Sequence, residues 1–148
     1  MAEQGRLGRA EIAAMIPHAG AMCLLDAVLG YDETRIRCSA SSHRDPANPL
    51  ARDGILPAQA GLEYGAQAMA IHGRLIGAVG ARPRTGYIVG IRSMSWSRDR
   101  LDDLAGDLLI EAEKLAGEGA GVIYSFSVAA GGVSVVNGRA TVILEAAP

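Results

Sequence analysis

One predicted helix, residues 57–76, constrains the fold of this 148-residue chain more than any other segment. It begins at a proline, which suits the first helical turn because the missing N–H would be unpaired there anyway. Glycines inside a helix weaken it when it lies alone on a surface. The helix therefore predicts a central element that a sheet approaches closely, since its side chains are mostly small: Ala58, Ala60, Gly61, Gly65, Ala66, Ala68, Ala70 and Gly73.

Shorter segments with strand character flank this helix. A helix is predicted over residues 10–15, and strands over 22–31, 34–41, 87–97, 107–115, 122–129 and 133–144. Glycine-containing turns join the last three strands. Residues 42–56 hold Pro, Asn and Gly and predict a long loop, and loops of that length are often functional. This order favours an α+β fold in one domain, with an antiparallel sheet curled around one helix.

Charge and hydropathy exclude several classes of protein. The formal net charge of -2 argues against a general nucleic-acid binder, which needs a basic excess. No apolar run reaches the roughly 20 residues that a membrane span requires, and the polar N-terminus is not followed by a signal-peptide core. We therefore expect a cytoplasmic protein. Cys23 and Cys38 are expected to be buried thiols, and the three scattered histidines give no metal-ligand spacing.

Four motifs resemble the hot-dog dehydratases of fatty-acid synthesis, and in particular their aryl-polyene-type (ApeP-like) branch. Residues 16–26 (I-P-H, then M-C-L-L-D) resemble the opening segment of that family, and residues 55–67 (I-L-P, then E and A-Q) resemble the start of its central helix. Residues 87–96 are similar to its Y-x-x-G-I strand, and residues 105–109 to its P-G-D-x-L segment. The resemblance implies one hot-dog domain over residues 1–148.

One position departs from the housekeeping enzymes of the family. Their catalytic histidine opens the loop before the central helix, where this chain has Asn48-Pro49-Leu50. The aryl-polyene-type branch is similar to this chain here, because it also has an N-P loop and keeps the histidine of the opening segment.

Dehydration of a 3-hydroxyacyl thioester needs a base at C2, an acid at the C3 hydroxyl and a donor to the enolate oxygen. The resemblance puts that donor at the N–H of Ala58, and helix N-termini favour negative charge. Glu63 is the candidate acid, because it is the only acidic residue on the helix. Gln67 lies one turn later, so we expect it to orient Glu63 and to contact substrate. The alternative for Glu63 is a carboxylate that pairs with an arginine or faces solvent.

Two of the three histidines are candidates for the base. His18 is preferred, because it precedes a predicted strand whose end can point into a cleft; a structural turn histidine is the alternative. His43, in the long loop, is the second candidate, against a solvated loop histidine. His72 lies about 180° around the helix from Glu63 and is expected outside the active face.

The resemblance implies a hydro-lyase that forms 2-enoyl thioesters in fatty-acid or polyene-type biosynthesis. No cofactor is expected beyond the phosphopantetheine of an acyl carrier protein or CoA, and the site is expected between the protomers of a homodimer or hot-dog heterodimer. A catalytically reduced acyl-binding subunit is one alternative, because the loop histidine is missing; an acyl thioesterase, in which Glu63 activates water or attacks the thioester, is another. Arginines are frequent in one window of the sequence: Arg74, Arg82, Arg84, Arg92, Arg98 and Arg100. One interpretation is a basic rim that docks an acidic carrier protein. The alternative is an ordinary solvated surface.

Overall fold

The computed structural model describes residues 6–16, 20–77, 86–117 and 121–144. It contains the helices α1 (Arg9–Met15) and α2 (Gly61–Leu75), and a 3-10 turn at Ala58–Ala60 leads directly into α2. The strands are β1 (Ala27–Tyr31), β2 (Arg35–Ala40), β3 (Gly86–Trp96), β4 (Leu108–Ala116), β5 (Gly121–Ala130) and β6 (Val133–Leu144).

The six strands form one antiparallel sheet in the order β1-β2-β4-β5-β6-β3, so β1 and β3 are its edges. One face of the sheet packs against α2, which contacts β2, β4 and β5. Along β4, Ile110 and Ala112 are buried on that face, and Glu111 and Glu113 alternate with them on the outer face. The predicted arrangement of an antiparallel sheet on one central helix is therefore confirmed.

The small residues of α2 allow the helix to touch the sheet. A Cβ atom on Gly65 would lie 2.7 Å from a ring carbon of Phe126, and one on Gly61 would lie 3.0 Å from a methyl group of Val136. Close packing of this kind leaves no room for one more methyl group without a shift of the neighbours. The glycines at these two positions thus set the distance between helix and sheet.

The first strand is shorter than the sequence predicts. The predicted strand covers residues 22–31, whereas β1 begins at Ala27, and Gly20–Met22 form a 3-10 turn instead. Cys23, Leu24 and Leu25 are buried in the core without belonging to a strand. The apolar run therefore predicts the burial correctly, but the carbonyls of Met22–Leu24 and the Leu24 N–H bond to side chains rather than to a neighbouring strand.

The loop over residues 42–56 carries short local structure. It begins with a 3-10 turn at Ser42–Arg44 and closes with a tight turn in which Asp53 and Gly54 have positive φ angles of 53° and 77°.

The predicted glycine turn between β5 and β6 is confirmed, because Gly131 and Gly132 have φ angles of 58° and 80°. Among the described residues, no helix is long and apolar enough to cross a membrane.

The contact at Gly65 predicts opposite effects for two identical substitutions in α2. Gly65→Ala should lower the free energy of unfolding by about 1–3 kcal/mol, because the new methyl group overlaps Phe126. Gly73→Ala meets no atom within 4 Å and should raise it by about 0.5–1 kcal/mol through helix propensity. Urea denaturation of both variants measures the difference. Equal effects of the two substitutions would contradict a close helix–sheet contact at Gly65.

Candidate active site

The start of α2 is pinned by a short antiparallel bridge to the loop after β3. The Ala58 N–H donates to the Asp99 carbonyl at 2.9 Å, and the Leu101 N–H donates to the Leu56 carbonyl at 2.8 Å. Ala58 is also fully buried. The expectation that the Ala58 N–H is unpaired and open to a thioester is therefore wrong, because a distant segment already uses that donor.

The next N–H along the chain is available. Gln59 is exposed, and its backbone N–H forms no hydrogen bond with any part of the chain that the structure describes. It belongs to the 3-10 turn that leads into α2, where the N–H groups of Ala58 and Ala60 are already paired and the helix dipole favours negative charge. An anion at this turn would meet the N–H of Gln59 rather than that of Ala58.

Asp102 holds the same bridge in place from the side. Its Oδ1 accepts the Leu56 N–H at 2.9 Å and the Arg100 Nε–H at 3.0 Å, and a second Arg100 nitrogen bonds to Oδ2. The hydrogen bond from Arg100 lowers the pKa of Asp102 to about 2. The carboxylate is thus ionised at neutral pH and keeps the segment before α2 fixed.

Glu63 lies in the first turn of α2 and is half-buried. Its neighbours on either side along the helix are the half-buried Leu62 and the buried Tyr64. No hydrogen bond or ion pair joins its carboxylate to another of the described residues. Glu63 therefore forms no ion pair with an arginine of the described residues, so its carboxyl group is available to a substrate.

Gln67 is buried one turn after Glu63, but its side chain turns to a different segment. Its Nε2 donates to the Met22 carbonyl at 2.7 Å, and its Oε1 accepts the Leu24 N–H at 3.0 Å. The expected hydrogen bond to Glu63 is not formed, because both polar atoms bond to backbone. The i, i+4 spacing places the two residues on one face of α2 without bringing their polar atoms together.

A buried hydrogen-bond cluster joins α2 to the loop over residues 42–56. The Tyr64 hydroxyl lies 2.7 Å from the Ser42 hydroxyl and accepts the Asn48 Nδ2–H at 3.1 Å. The Asn48 amide also donates to the Ser42 carbonyl at 2.9 Å, and its Oδ1 accepts the Leu50 N–H at 2.9 Å. Asn48, in the loop where the housekeeping dehydratases carry their histidine, therefore has a structural role.

The histidines differ in their surroundings. His18 lies outside the described residues. His43 is 1% exposed, so the alternative of a solvated loop histidine is wrong; its Nε2–H donates to the Leu104 carbonyl at 3.1 Å, and its Nδ1 finds no partner among the described residues. His72 is also buried, with its Nε2–H on the Asp32 carbonyl at 2.8 Å and its Nδ1 2.6 Å from the Tyr124 hydroxyl. His72 is thus tied to the sheet and the β1–β2 turn, as expected for a residue away from Glu63.

The arginines do not form one basic rim in the described part of the chain. Arg98 pairs with Asp103 at 2.8 Å, and Arg100 pairs with Asp102. Arg92 lies on the outer face of the sheet directly opposite Arg139 of β6. Arg82 and Arg84 lie outside the described residues. The ordinary solvated surface therefore fits Arg98 and Arg100 better than a docking patch, since acidic neighbours neutralise both.

Two surface grooves lie away from Glu63. One, of about 380 Å³, crosses the outer face of the sheet and is lined by polar residues such as Arg35, Ser125 and Arg139. The other, of about 420 Å³, lies beside the β1–β2 turn and is lined by residues such as Glu33, Ile76 and Leu115. Neither groove includes the start of α2.

The sequence matches the ApeP-like family, described as ApeP dehydratase, over residues 10–147. The chain belongs to the ApeP-like family. A search of curated protein sequences finds no significant match.

Solved structures place the chain in the hot-dog fold. It is similar to the dehydratase heterocomplex ApeI:P from Xenorhabdus doucetiae, with a TM-score of 0.78 at 20% identity over 91% of each chain. It is also similar to the thioesterase PA1618 from Pseudomonas aeruginosa, with a TM-score of 0.67 at 12% identity over 94% of this chain and 96% of that one. A third neighbour is zebra fish thioesterase superfamily member 2, with a TM-score of 0.64 at 18% identity over 93% and 95%.

The two buried histidines predict that this ApeP-like protein loses stability in mild acid. Burial lowers the pKa of both His43 and His72, while the unfolded chain titrates near the ordinary value of about 6.5. As the pH falls below that value, the unfolded state takes up protons that the folded state does not, so the free energy of unfolding decreases. The slope should reach up to about 1.4 kcal/mol per pH unit for each histidine.

Urea denaturation between pH 7.5 and 5.5 measures this slope, and a variant with both His43→Gln and His72→Gln should show a flatter one. A wild-type stability that does not change over this range would contradict the buried, neutral state of the two side chains.

Proposed function

We propose that this protein is a dehydratase that eliminates water from a 3-hydroxyacyl thioester, with Glu63 as the general acid. The observation that carries the proposal is the position of Glu63: half-buried in the first turn of α2, without a partner among the described residues. Membership of the ApeP-like family supports a dehydratase rather than a scaffold. The helix dipole favours a negative charge at this turn in a scaffold too, so family membership is what favours the dehydratase.

Three groups of the chain carry out the proposed reaction: a base, an acid and a donor to the enolate oxygen. His18 takes the proton from C2 of the substrate, and the electron pair of that C–H bond forms the C2–C3 double bond through an enolate. Glu63 protonates the C3 hydroxyl, which leaves as water, so that one proton is taken up and one is delivered. The N–H of Gln59 at the start of α2 stabilises the enolate oxygen, in place of the N–H of Ala58.

The substrate is carried on phosphopantetheine, of an acyl carrier protein or of CoA, and we place the reaction in fatty-acid or polyene-type biosynthesis in the cytoplasm. The family and the ApeI:P neighbour, a dehydratase heterocomplex, support the dehydration itself, whereas the carrier and the pathway are what the resemblance of the sequence motifs implies. Gln67 is proposed to act on the site indirectly rather than by touching substrate, since its polar atoms bond to backbone.

We further propose that two protomers, identical or not, join through the β3 edge of the sheet. The ApeI:P neighbour is a heterocomplex, and β3 presents an 11-residue edge. Ile91 and Trp96 pair with buried residues of β6, so they lie on the helix-facing side of the sheet, yet they are 37% and 42% exposed. A long edge strand with exposed apolar side chains invites pairing with another chain.

Removal of the Glu63 carboxylate should abolish dehydration. Incubation of the purified protein with a 3-hydroxyacyl carrier protein or CoA thioester, followed by mass spectrometry, should show loss of water from the acyl chain. Glu63→Gln should lower kcat by about 10²–10⁴-fold, which is the usual contribution of a positioned acid, and His18→Ala should have a similar effect. The matched control is Glu111→Gln. Glu111 is also a half-buried glutamate, but it lies on the outer face of β4, so this change should leave kcat unchanged.

Other products would identify the alternatives. Release of a free acid that depends on Glu63 would indicate the thioesterase, which the two thioesterase neighbours favour. A bound substrate without turnover would indicate a catalytically reduced subunit, which the structural role of Asn48 favours. Either result contradicts the dehydratase.

A charge at the β3 edge should separate the protomers. Ile91→Glu should shift the native mass toward one protomer, because it places a charge on the exposed apolar strip of β3. Ile123→Glu changes an isoleucine of similar exposure (40%) on the outer face and should leave the assembly unchanged. Native mass spectrometry and light scattering measure both variants. An Ile91→Glu protein of unchanged native mass would show that the interface lies elsewhere.

A further inference from the structure

The segment Met22–Leu24 is held in place by side chains rather than by a strand. The Met22 carbonyl and the Leu24 N–H bond to Gln67, the Cys23 carbonyl accepts Arg9 Nη2–H at 2.7 Å, and the Leu24 carbonyl accepts the Ser42 hydroxyl at 2.8 Å. Buried backbone groups outside regular structure require such partners. The number of separate bonds on three residues indicates that the position of this segment matters.

Gln67 has a special place among these partners. Arg9 and Ser42 each bond to one carbonyl of the segment, whereas Gln67 supplies both an acceptor and a donor, two residues apart. Among the uncharged side chains, only an amide offers an N–H donor and a carbonyl acceptor together at its tip. Gln67 is 1% exposed, so neither bond is replaced readily by water.

Gln67 bonds to the segment that follows the proposed base in the sequence. It lies on α2 one turn after Glu63, and Met22 follows His18 by four residues, a length of chain that spans at most about 14 Å. Catalytic groups act well only when held close to their productive geometry.

We propose that Gln67 is a positioning residue for the dehydration: it holds Met22–Leu24, the segment that follows His18 in the sequence, against α2 one turn after Glu63. The inference rests on the proposed dehydratase function. In this role Gln67 contacts neither the substrate nor the Glu63 carboxylate, and it acts through the backbone of Met22–Leu24.

The variant Gln67→Glu tests this through its protonation state. A protonated glutamic acid has one O–H donor and one carbonyl acceptor, so it reproduces both bonds of Gln67. The ionised form has acceptors only and repels the Met22 carbonyl. We expect kcat of this variant, relative to wild type at the same pH, to be within about threefold at pH 6 and to fall by about 10–100-fold at pH 8.5, with KM unchanged. Gln67→Met, which loses both bonds at every pH, should give a pH-independent loss.

A matched control changes an amide to an acid elsewhere. Asn137→Asp on the exposed outer face of β6 should leave both kcat and its pH dependence at the wild-type values. A general effect of added charge would instead lower kcat in both variants. A higher KM with an unchanged kcat for Gln67→Glu would show that Gln67 binds substrate directly and would overturn the proposal.

The thiol of Cys23 reports on the segment without any need for turnover. Cys23 lies in the middle of the segment and is 2% exposed, while Cys38 of β2 is fully buried and serves as an internal control. At pH 8.5, maleimide labelling of Cys23 followed by peptide mass spectrometry should be at least tenfold faster in Gln67→Glu than in wild type, with Cys38 unchanged. Equal acceleration at Cys38 would mean general unfolding and would overturn the proposal.

The two readouts separate the inference from the function on which it rests. A wild type without dehydration overturns the proposed function, and the labelling of Cys23 then still decides whether Gln67 holds the segment. A wild type that turns over, with a pH-independent kcat ratio and unchanged Cys23 labelling in Gln67→Glu, overturns the inference and leaves the dehydratase standing.

Discussion

The contact between α2 and the sheet at Gly61 and Gly65 determines how the rest of the structure is built. Because Phe126 and Val136 lie directly against these glycines, one face of the helix is closed off from water by the sheet. The polar side chains of α2 that are buried must therefore find partners in the interior. Tyr64 bonds to Ser42 and Asn48, Gln67 to the segment Met22–Leu24, and His72 to Tyr124 and the Asp32 carbonyl. The polar residues of α2 thus serve as fixed points for the surrounding loops.

Glu63 stands apart from this pattern. It lies on the same helix and is half-buried, yet its carboxylate has no partner in the described part of the chain. Asp102, by contrast, is paired with Arg100 and the Leu56 N–H, whereas Glu63 has only the favourable dipole of the first turn of α2. The contrast between Glu63 and Asp102 is the physical reason to assign a chemical role to one and a structural role to the other.

The sequence predicts most of the fold because its signals are local. The glycine turn at Gly131-Gly132, the alternation along β4 and the small residues of α2 all act through near neighbours, and the structure bears them out. Two expectations about the site failed because the hydrogen-bond partners that decide them are distant in sequence. The Ala58 N–H is taken by Asp99, 41 positions later, and Gln67 bonds to residues 22 and 24, more than 40 positions earlier. Periodicity places a residue on a face, but it does not identify the partner that a turn elsewhere brings to it.

The hydrogen bonds of Asn48 and of the two buried histidines limit which residue can serve as the general base. Asn48 cannot move toward a substrate without breaking its bonds to Ser42, Tyr64 and Leu50, so the loop before α2 supplies no acid–base group there. His43 and His72 each use Nε2–H on a backbone carbonyl, and burial lowers the pKa of both, so they resist taking up a proton in place. A general base must accept a proton during the reaction, which sets these two side chains at a disadvantage. His18 is the remaining imidazole of the chain, and the polar side chains that fix Met22–Leu24 act on the segment that leads away from it. His18 therefore stays the predicted base of a chain that lacks the loop histidine.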